Sequence, residues 1–355
     1  MKIASIIGTR PNFIKCAPLS REIRKEFDEV LIHTEQHYDY EMNKIFFDEL
    51  KIPKPDYHLD VKSGSQGKQT GEMLKKIESV LLKENPDLVI VYGDVNSTLA
   101  GALAATKLNM KVAHVEAGIR SFDRTMPEEI NRILTDDCSD YLFCPTSSAV
   151  RNLRKEGFDS MMIYHSGDVM VDSLDENIKI AEKESNILGE LNLEQKKYYL
   201  ATVHRAENTD NSDRLLSILS AFSEIKNLVF ICHPRTEKMI RHYASLDTLT
   251  DEVRMVIKPV GYFDMLMLEK NASKIITDSG GVQKEAYLLK VPCITLRYNT
   301  EWIETVESGW SVLVGSNKES IIKMANVFEP NGKQRNVFGD GKASERIMNV
   351  IREYV

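Results

Sequence analysis

The run Asp87-Leu88-Val89-Ile90-Val91-Tyr92-Gly93-Asp94 decides the fold. Its four consecutive apolar residues, three of them β-branched, end in a glycine turn and read as a short strand. A strand with one wet face would alternate apolar and polar positions. A continuous run is what a parallel strand needs when helices cover both of its faces. Helical patterns flank it at Thr70–Lys83 and Thr98–Leu108. The alternation continues outward, with strands expected at Lys2–Ile7, Glu29–His33, Lys111–Val115, Tyr141–Cys144 and Met161–His165. Further helices are expected at Phe13–Phe27, Glu128–Asp137 and Ala149–Glu156. Such an order builds βαβ units around a parallel sheet.

The pattern then restarts. Tyr198–Val203, Asn227–Ile231, Val253–Pro259, Ser273–Thr277 and Pro292–Leu296 read as strands of a second sheet. The fold class is therefore α/β, with two Rossmann-like domains facing a central cleft. We place the boundary within Gly167–Asp175, giving an N-terminal domain over 1–170 and a C-terminal domain over 171–342. The last helix, 343–355, could pack on either. Ligands of open α/β sheets bind beyond the carboxyl ends of the strands, so strand-end loops should carry the chemistry.

Composition narrows the class. The chain of 355 residues is long for one core and comfortable as two. Its net charge of -7 argues against a nucleic-acid partner but not against an anion bound locally. No stretch approaches the roughly 20 apolar residues that would span a membrane. The N-terminal run reads as a strand rather than a leader, and the five dispersed cysteines read as reduced thiols. A cytoplasmic enzyme is the expectation. Neither His-Glu-x-x-His nor Cys-x-x-Cys occurs, so no metal or redox cofactor is expected. Gly64–Thr70 imitates a phosphate-binding loop with the wrong spacing.

Several loops stand out. Gly8-Thr9-Arg10-Pro11 lacks the Gly-x-Gly-x-x-Gly fingerprint but brings Arg10 and Lys15 to a helix start, where a phosphate is welcome. Asp94 follows Gly93 at the end of the apolar strand, a position that suits a turn residue as well as a catalytic one. Glu116 ends a buried strand, which is costly for a carboxylate without a partner or a task. Glu128 follows Pro127 at a helix start, where capping would suffice to explain it, and Glu129 reads as its solvated neighbour. In the second half, His204-Arg205 and His233 sit at strand ends as anion contacts. Asp278-Ser279-Gly280-Gly281 leads into a helix carrying Glu285. Its glycines let backbone N–H groups approach a phosphate, and Glu285 could accept from ribose hydroxyls.

In this order the loops resemble the non-hydrolysing UDP-N-acetylglucosamine 2-epimerases. The most specific pieces are His114-Val115-Glu116-Ala117-Gly118, Pro127-Glu128-Glu129 with Asn131-Arg132, His204-Arg205, and Asp278 through Gln283 with Glu285. The resemblance implies a glycosyltransferase-B-like fold, a homodimer, a UDP-sugar as partner, no cofactor, and a place in making cell-surface polysaccharide. It also implies interconversion of UDP-GlcNAc and UDP-ManNAc by anti elimination of UDP to 2-acetamidoglucal, followed by re-addition. Asp94, Glu116 and Glu128 match the family's catalytic carboxylates, with base and acid unassigned. Arg10, Lys15 and His204 would stabilise the leaving diphosphate, with Arg205 and His233 beside it. Ser279, Gly280 and Gly281 would cradle phosphate and Glu285 would hold the ribose.

Two departures bear on the substrate. Asn12 stands where many members carry Glu, and Thr300-Glu301-Trp302-Ile303-Glu304 replaces Thr-Glu-Arg-Pro-Glu. The tryptophan form looks like the branch acting on UDP-2,3-diacetamido-2,3-dideoxyglucuronate as well as some plain epimerases. Gln36-His37 partly matches a second, regulatory UDP-sugar site of bacterial members, while Tyr38-Asp39-Tyr40 and Lys68 do not. Competing readings on the same residues are a glycosyltransferase, a hydrolysing epimerase, a sugar-nucleotide sensor and, least supported, a dehydrogenase.

Overall fold

The structure, a computed structural model, describes residues 1–35, 40–62, 64–243 and 255–354. The chain forms two compact units, one of Met1–Asn177 with Asn336–Val355 and one of Ile178–Arg335. The division falls inside the helix Val169–Glu184, seven residues past the boundary drawn at 170, because this helix runs on without a break. The chain then returns to the first unit before its last helix, Ala343–Tyr354, which lies on the helix Arg10–Ile23.

The first unit holds a seven-stranded sheet of β1 (Lys2–Ile7), β2 (Asp28–His33), β3 (Tyr57–His58), β4 (Leu88–Tyr92), β5 (Lys111–Val115), β6 (Tyr141–Cys144) and β7 (Ile163–His165). Their spatial order is β3-β2-β1-β4-β5-β6-β7, and every pairing is parallel. All five residues of β4 are buried, as its unbroken apolar run requires. The second unit holds β8 (Tyr199–Val203), β9 (Leu228–Cys232), β10 (Met255–Ile257), β11 (Lys274–Thr277), β12 (Cys293–Thr295) and β13 (Ser311–Leu313). Here the order is β10-β9-β8-β11-β12-β13, again wholly parallel.

Both orders reverse direction once, between β1 and β4 and between β8 and β11. At such a switch point the connections leave toward opposite faces and open a crevice beyond the strand ends. The topology thus picks out the loops after Ile7, Tyr92, Val203 and Thr277, four of those singled out by sequence.

The start of the strand expected at Val253–Pro259 lies outside the described residues, as do Gln36–Asp39. The imitation phosphate loop instead starts the helix Gln66–Glu84, with Ser65 before it and Asn85 ending it in a left-handed conformation. All five cysteines are free. No helix among the described residues is long and apolar enough to cross a membrane.

Candidate active site

At the first switch point the strand-end loops are joined by one side chain. Asn12 accepts at Oδ1 from the backbone N–H groups of Gly8 (3.1 Å) and Thr9 (3.3 Å), while its Nδ2 donates to the Tyr92 carbonyl (2.8 Å). A carboxylate could not make the last bond, so an amide at this departure from the family has a local reason. Arg10, the first residue of the helix Arg10–Ile23, stacks 5.2 Å above the Phe46 ring.

Lys15 is not the open cation expected for phosphate. It is buried in the same helix and donates to Glu116 Oε1 at 2.5 Å, with side-chain exposures of 6% and 7%. Two charges this deeply buried need each other, since either alone would face an uncompensated desolvation cost. Glu116 takes a left-handed backbone conformation (φ 82°) just past β5, which re-aims its side chain. Gly93 beside it has φ 65°, a left-handed conformation that favours glycine, and a Cβ there would come within 2.7 Å of Lys15 Nζ.

Asp94 Oδ2 accepts from Arg132 Nε (2.9 Å) and Nη2 (2.6 Å), and Asn131 donates to the Asp94 carbonyl. Arg132 and Asn131 belong to the helix Pro127–Asp137, whose first turn carries half-buried Glu128. Asp94, Glu116 and Glu128 therefore hang on one connected framework. They are not equivalent, because the first two carry counter-cations and Glu128 makes no ion pair among the described residues.

Glu129, expected in solvent, is 1% exposed. It accepts from the Ser121 and Phe122 N–H groups and from Arg132 Nη1 at 2.6 Å, fixing the loop before the helix. Below it, His114 is held at both nitrogens: Nε2 donates to the Gly93 carbonyl at 2.7 Å, and Nδ1 lies 2.7 Å from Asp136 Oδ1. Burial pulls the Asp136 carboxyl up, yet His114 and Arg120 together outweigh it and hold the value low.

In the second unit Asp278, fully buried, is the organiser. It accepts from the N–H groups of His204 and Arg205 and from Asn208 Nδ2. His204 thereby presents its ring 5.7 Å from that of His233. Ser279 caps the helix Gly280–Leu288 by accepting from the Val282 N–H group. Arg205 reaches Glu301, whose carboxylate is pinned by buried Arg297 at 2.6 Å. Trp302 is buried under the Lys284 ammonium, 4.2 Å from the ring centroid.

The two glycines of this loop differ. A Cβ on Gly280 would meet Glu301 Oε1 at 2.5 Å and Trp302 Nε1 at 3.3 Å, whereas one on Gly281 meets nothing nearer than Ser279 Oγ at 3.9 Å. Only Gly281 leaves open space for an approaching anion. We expect Gly280→Ala to cost ~1–3 kcal/mol in urea unfolding, and Gly281→Ala to leave stability unchanged. Equal stability losses would refute the distinction.

Glu285 lies buried against Glu269, and burial pushes both carboxyls up, Glu285 to about 7. For Glu269 the negative charge of Glu285 adds to burial; for Glu285 the Tyr262 hydroxyl and Lys284 oppose it without prevailing. Neither Glu269 oxygen has a donor, which favours its uncharged form. The folded protein thus holds protons on this pair where the unfolded chain, with ordinary values of 4.5, releases them. The Glu285 contribution is fully present below pH 4.5 and is lost as pH rises through about 7, while Glu269, raised by the charge Glu285 then carries, keeps its proton. Wild-type melting temperature should therefore fall more steeply from pH 5 to pH 8 than that of Glu285→Gln. Parallel curves would contradict the raised Glu285 value.

Two doubly wound parallel units, each with its polar side chains gathered at the switch point, define an α/β protein of the glycosyltransferase-B-like kind. The family model for UDP-N-acetylglucosamine 2-epimerase matches residues 21–352. A UDP-N-acetylglucosamine 2-epimerase homolog of Methanococcus maripaludis is 59% identical over 99% of both chains. A UDP-2,3-diacetamido-2,3-dideoxy-D-glucuronate 2-epimerase of Pseudomonas aeruginosa is 48% identical, also over 99% of both. The crystal structure of Methanocaldococcus jannaschii UDP-GlcNAc 2-epimerase in complex with UDP-GlcNAc and UDP superimposes with a TM-score of 0.93 at 50% identity, covering 99% of this chain and 100% of that one. The chain belongs to the UDP-N-acetylglucosamine 2-epimerase family and is an isomerase.

Proposed function

We propose that this isomerase interconverts UDP-N-acetylglucosamine and UDP-N-acetylmannosamine without releasing UDP. The observation that carries the proposal is the buried Lys15–Glu116 pair at the first switch point, beside Gly93 and Asp94. A carboxylate held dry and oriented by one cation is suited to moving a proton on a bound sugar.

The C2 hydrogen has no neighbouring carbonyl to acidify it, so direct removal and return would be prohibitively slow. Elimination avoids this. A base takes the C2 proton, its electron pair becomes the C1=C2 double bond, and the C1–O bond breaks with its pair leaving on UDP. The resulting 2-acetamidoglucal accepts UDP again at C1, while an acid gives a proton to the other face of C2. Electrons and atoms balance, and no oxidant enters.

Asp94, Glu116 and Glu128 serve as the acid and base groups. Lys15, already committed to Glu116, orients that carboxylate. Arg10, His204 and Arg205 face charge growing on the departing diphosphate, the largest electrostatic demand of the reaction. The capped helix start at Ser279 and Gly281 adds N–H donors, His233 borders the nucleotide, and Glu285 receives the ribose hydroxyls. The family resemblance also supports a homodimer in the cytoplasm that supplies polysaccharide precursors, and light scattering tests the dimer.

The elimination is tested with UDP-GlcNAc bearing ¹⁸O in the bond between C1 and phosphate. Scrambling of the label into the other β-phosphate oxygens is expected; a label that stays in place during epimerisation would defeat the scheme. A second reading, the diacetamido glucuronate substrate, is favoured by Trp302 and by the 48% identity to the Pseudomonas aeruginosa enzyme. A higher kcat/KM on that nucleotide than on UDP-GlcNAc would select it.

A further inference from the structure

Outside the proposed catalytic groups, the ends of β2 and β3 gather three metal-ligating side chains. His33 and His58 are register partners on these neighbouring parallel strands, and Glu35 follows two residues after His33. One potential ligand atom from each lies within 4.8 Å of the others. Glu35 Oε1 is 2.9 Å from His58 Nδ1 and 3.9 Å from His33 Nδ1. Two ligands of a tetrahedral zinc ion, each 2.0–2.1 Å from it, stand roughly 3.4 Å apart. The observed spacings bracket that value.

The second observation is His33 itself. Its side chain is 3% exposed, and neither ring nitrogen has a hydrogen-bond partner. Buried polar atoms are seldom left so. Phe13 (5.2 Å) and Phe47 (5.7 Å) close the apolar side of the ring, while His58, 41% exposed, and Glu35, 27% exposed, flank the solvent side.

We propose that His33, Glu35 and His58 form a binding site for a divalent first-row transition metal of the zinc type. Two imidazoles and one carboxylate are a recurrent zinc donor set, with water as the fourth ligand. The metal would pin the two-residue strand β3 to β2 and so act on stability rather than on the chemistry at C2.

The test uses untagged full-length protein stripped with chelator, then dialysed against micromolar Zn²⁺ with metal counted per chain. Co²⁺ is the optical probe, since tetrahedral nitrogen and oxygen ligation gives intense visible bands. We expect one Zn²⁺ per chain, a melting temperature raised by Zn²⁺, and at least a ~10-fold loss of affinity in both His58→Gln and Glu35→Gln. These two positions are partly exposed, and the variants should melt like wild type in chelator. Failure to bind stoichiometrically, or binding undiminished in either variant, overturns the site.

Discussion

Replacing Glu116 by Gln should lower epimerisation by ~10²–10⁴-fold, the usual contribution of a positioned acid or base. The amide keeps the shape of the side chain but can neither take nor return a proton. It also strands Lys15, 5% exposed, without its counter-charge. Breaking a buried pair from one side costs ~3–5 kcal/mol, so urea unfolding should show a comparable loss of stability. The double variant Lys15→Met/Glu116→Gln separates the two effects: stability should largely return while turnover does not. Turnover that recovered with stability would mean that Glu116 acts only as a structural partner.

The second large effect is expected at Arg132. Its guanidinium, 2% exposed, serves Asp94 and Glu129 at once, at 2.6 Å from each. Arg132→Met leaves Glu129 buried and unpaired and frees Asp94 from its anchor. We expect a stability loss of ~3–5 kcal/mol by urea unfolding, together with lower kcat. Adding Glu129→Gln should restore part of the stability and none of the Asp94 function. A single variant as stable as wild type would contradict the role assigned to this arginine.

Arg132 and Glu129 also show where sequence reasoning stops. The helix Pro127–Asp137 turns Glu129, Arg132, Thr135 and Asp136 inward, while Leu134 is 44% exposed. A periodicity that looks for apolar residues on the buried face reads such a helix inside out, so Glu129 seemed solvated. The ends of the sheets were hard for another reason. Strands β3 and β13 have two and three residues, too few for any period to register. By contrast β4, β1 and β8 sit at the sheet centres, and their length and continuous burial made them legible.

The site divided along similar lines. Some candidate residues stand out from the sequence next to them: Arg10 before Pro11, Asp94 after Gly93, His204 with Arg205, and Ser279 before two glycines. Which distant residues pair with one another is not legible there. Asp278 stands in a legible motif, but its hold on residues 204, 205 and 208 spans some seventy positions. Arg297 with Glu301 and Lys15 with Glu116 are likewise long-range or inward-facing pairs. A buried polar framework of this kind is specified by the fold, and only the parallel order β3-β2-β1-β4 and β9-β8-β11 brings its members together.

The central claim is proton exchange at C2 with the nucleotide retained, and it is tested by incubating the protein with UDP-N-acetylglucosamine in D₂O and following both epimers by NMR. We expect deuterium at C2 of UDP-N-acetylmannosamine and, with time, of the recovered substrate, with UDP still attached. Epimerisation with protium kept at C2, or release of free sugar in place of the UDP-linked epimer, would contradict it.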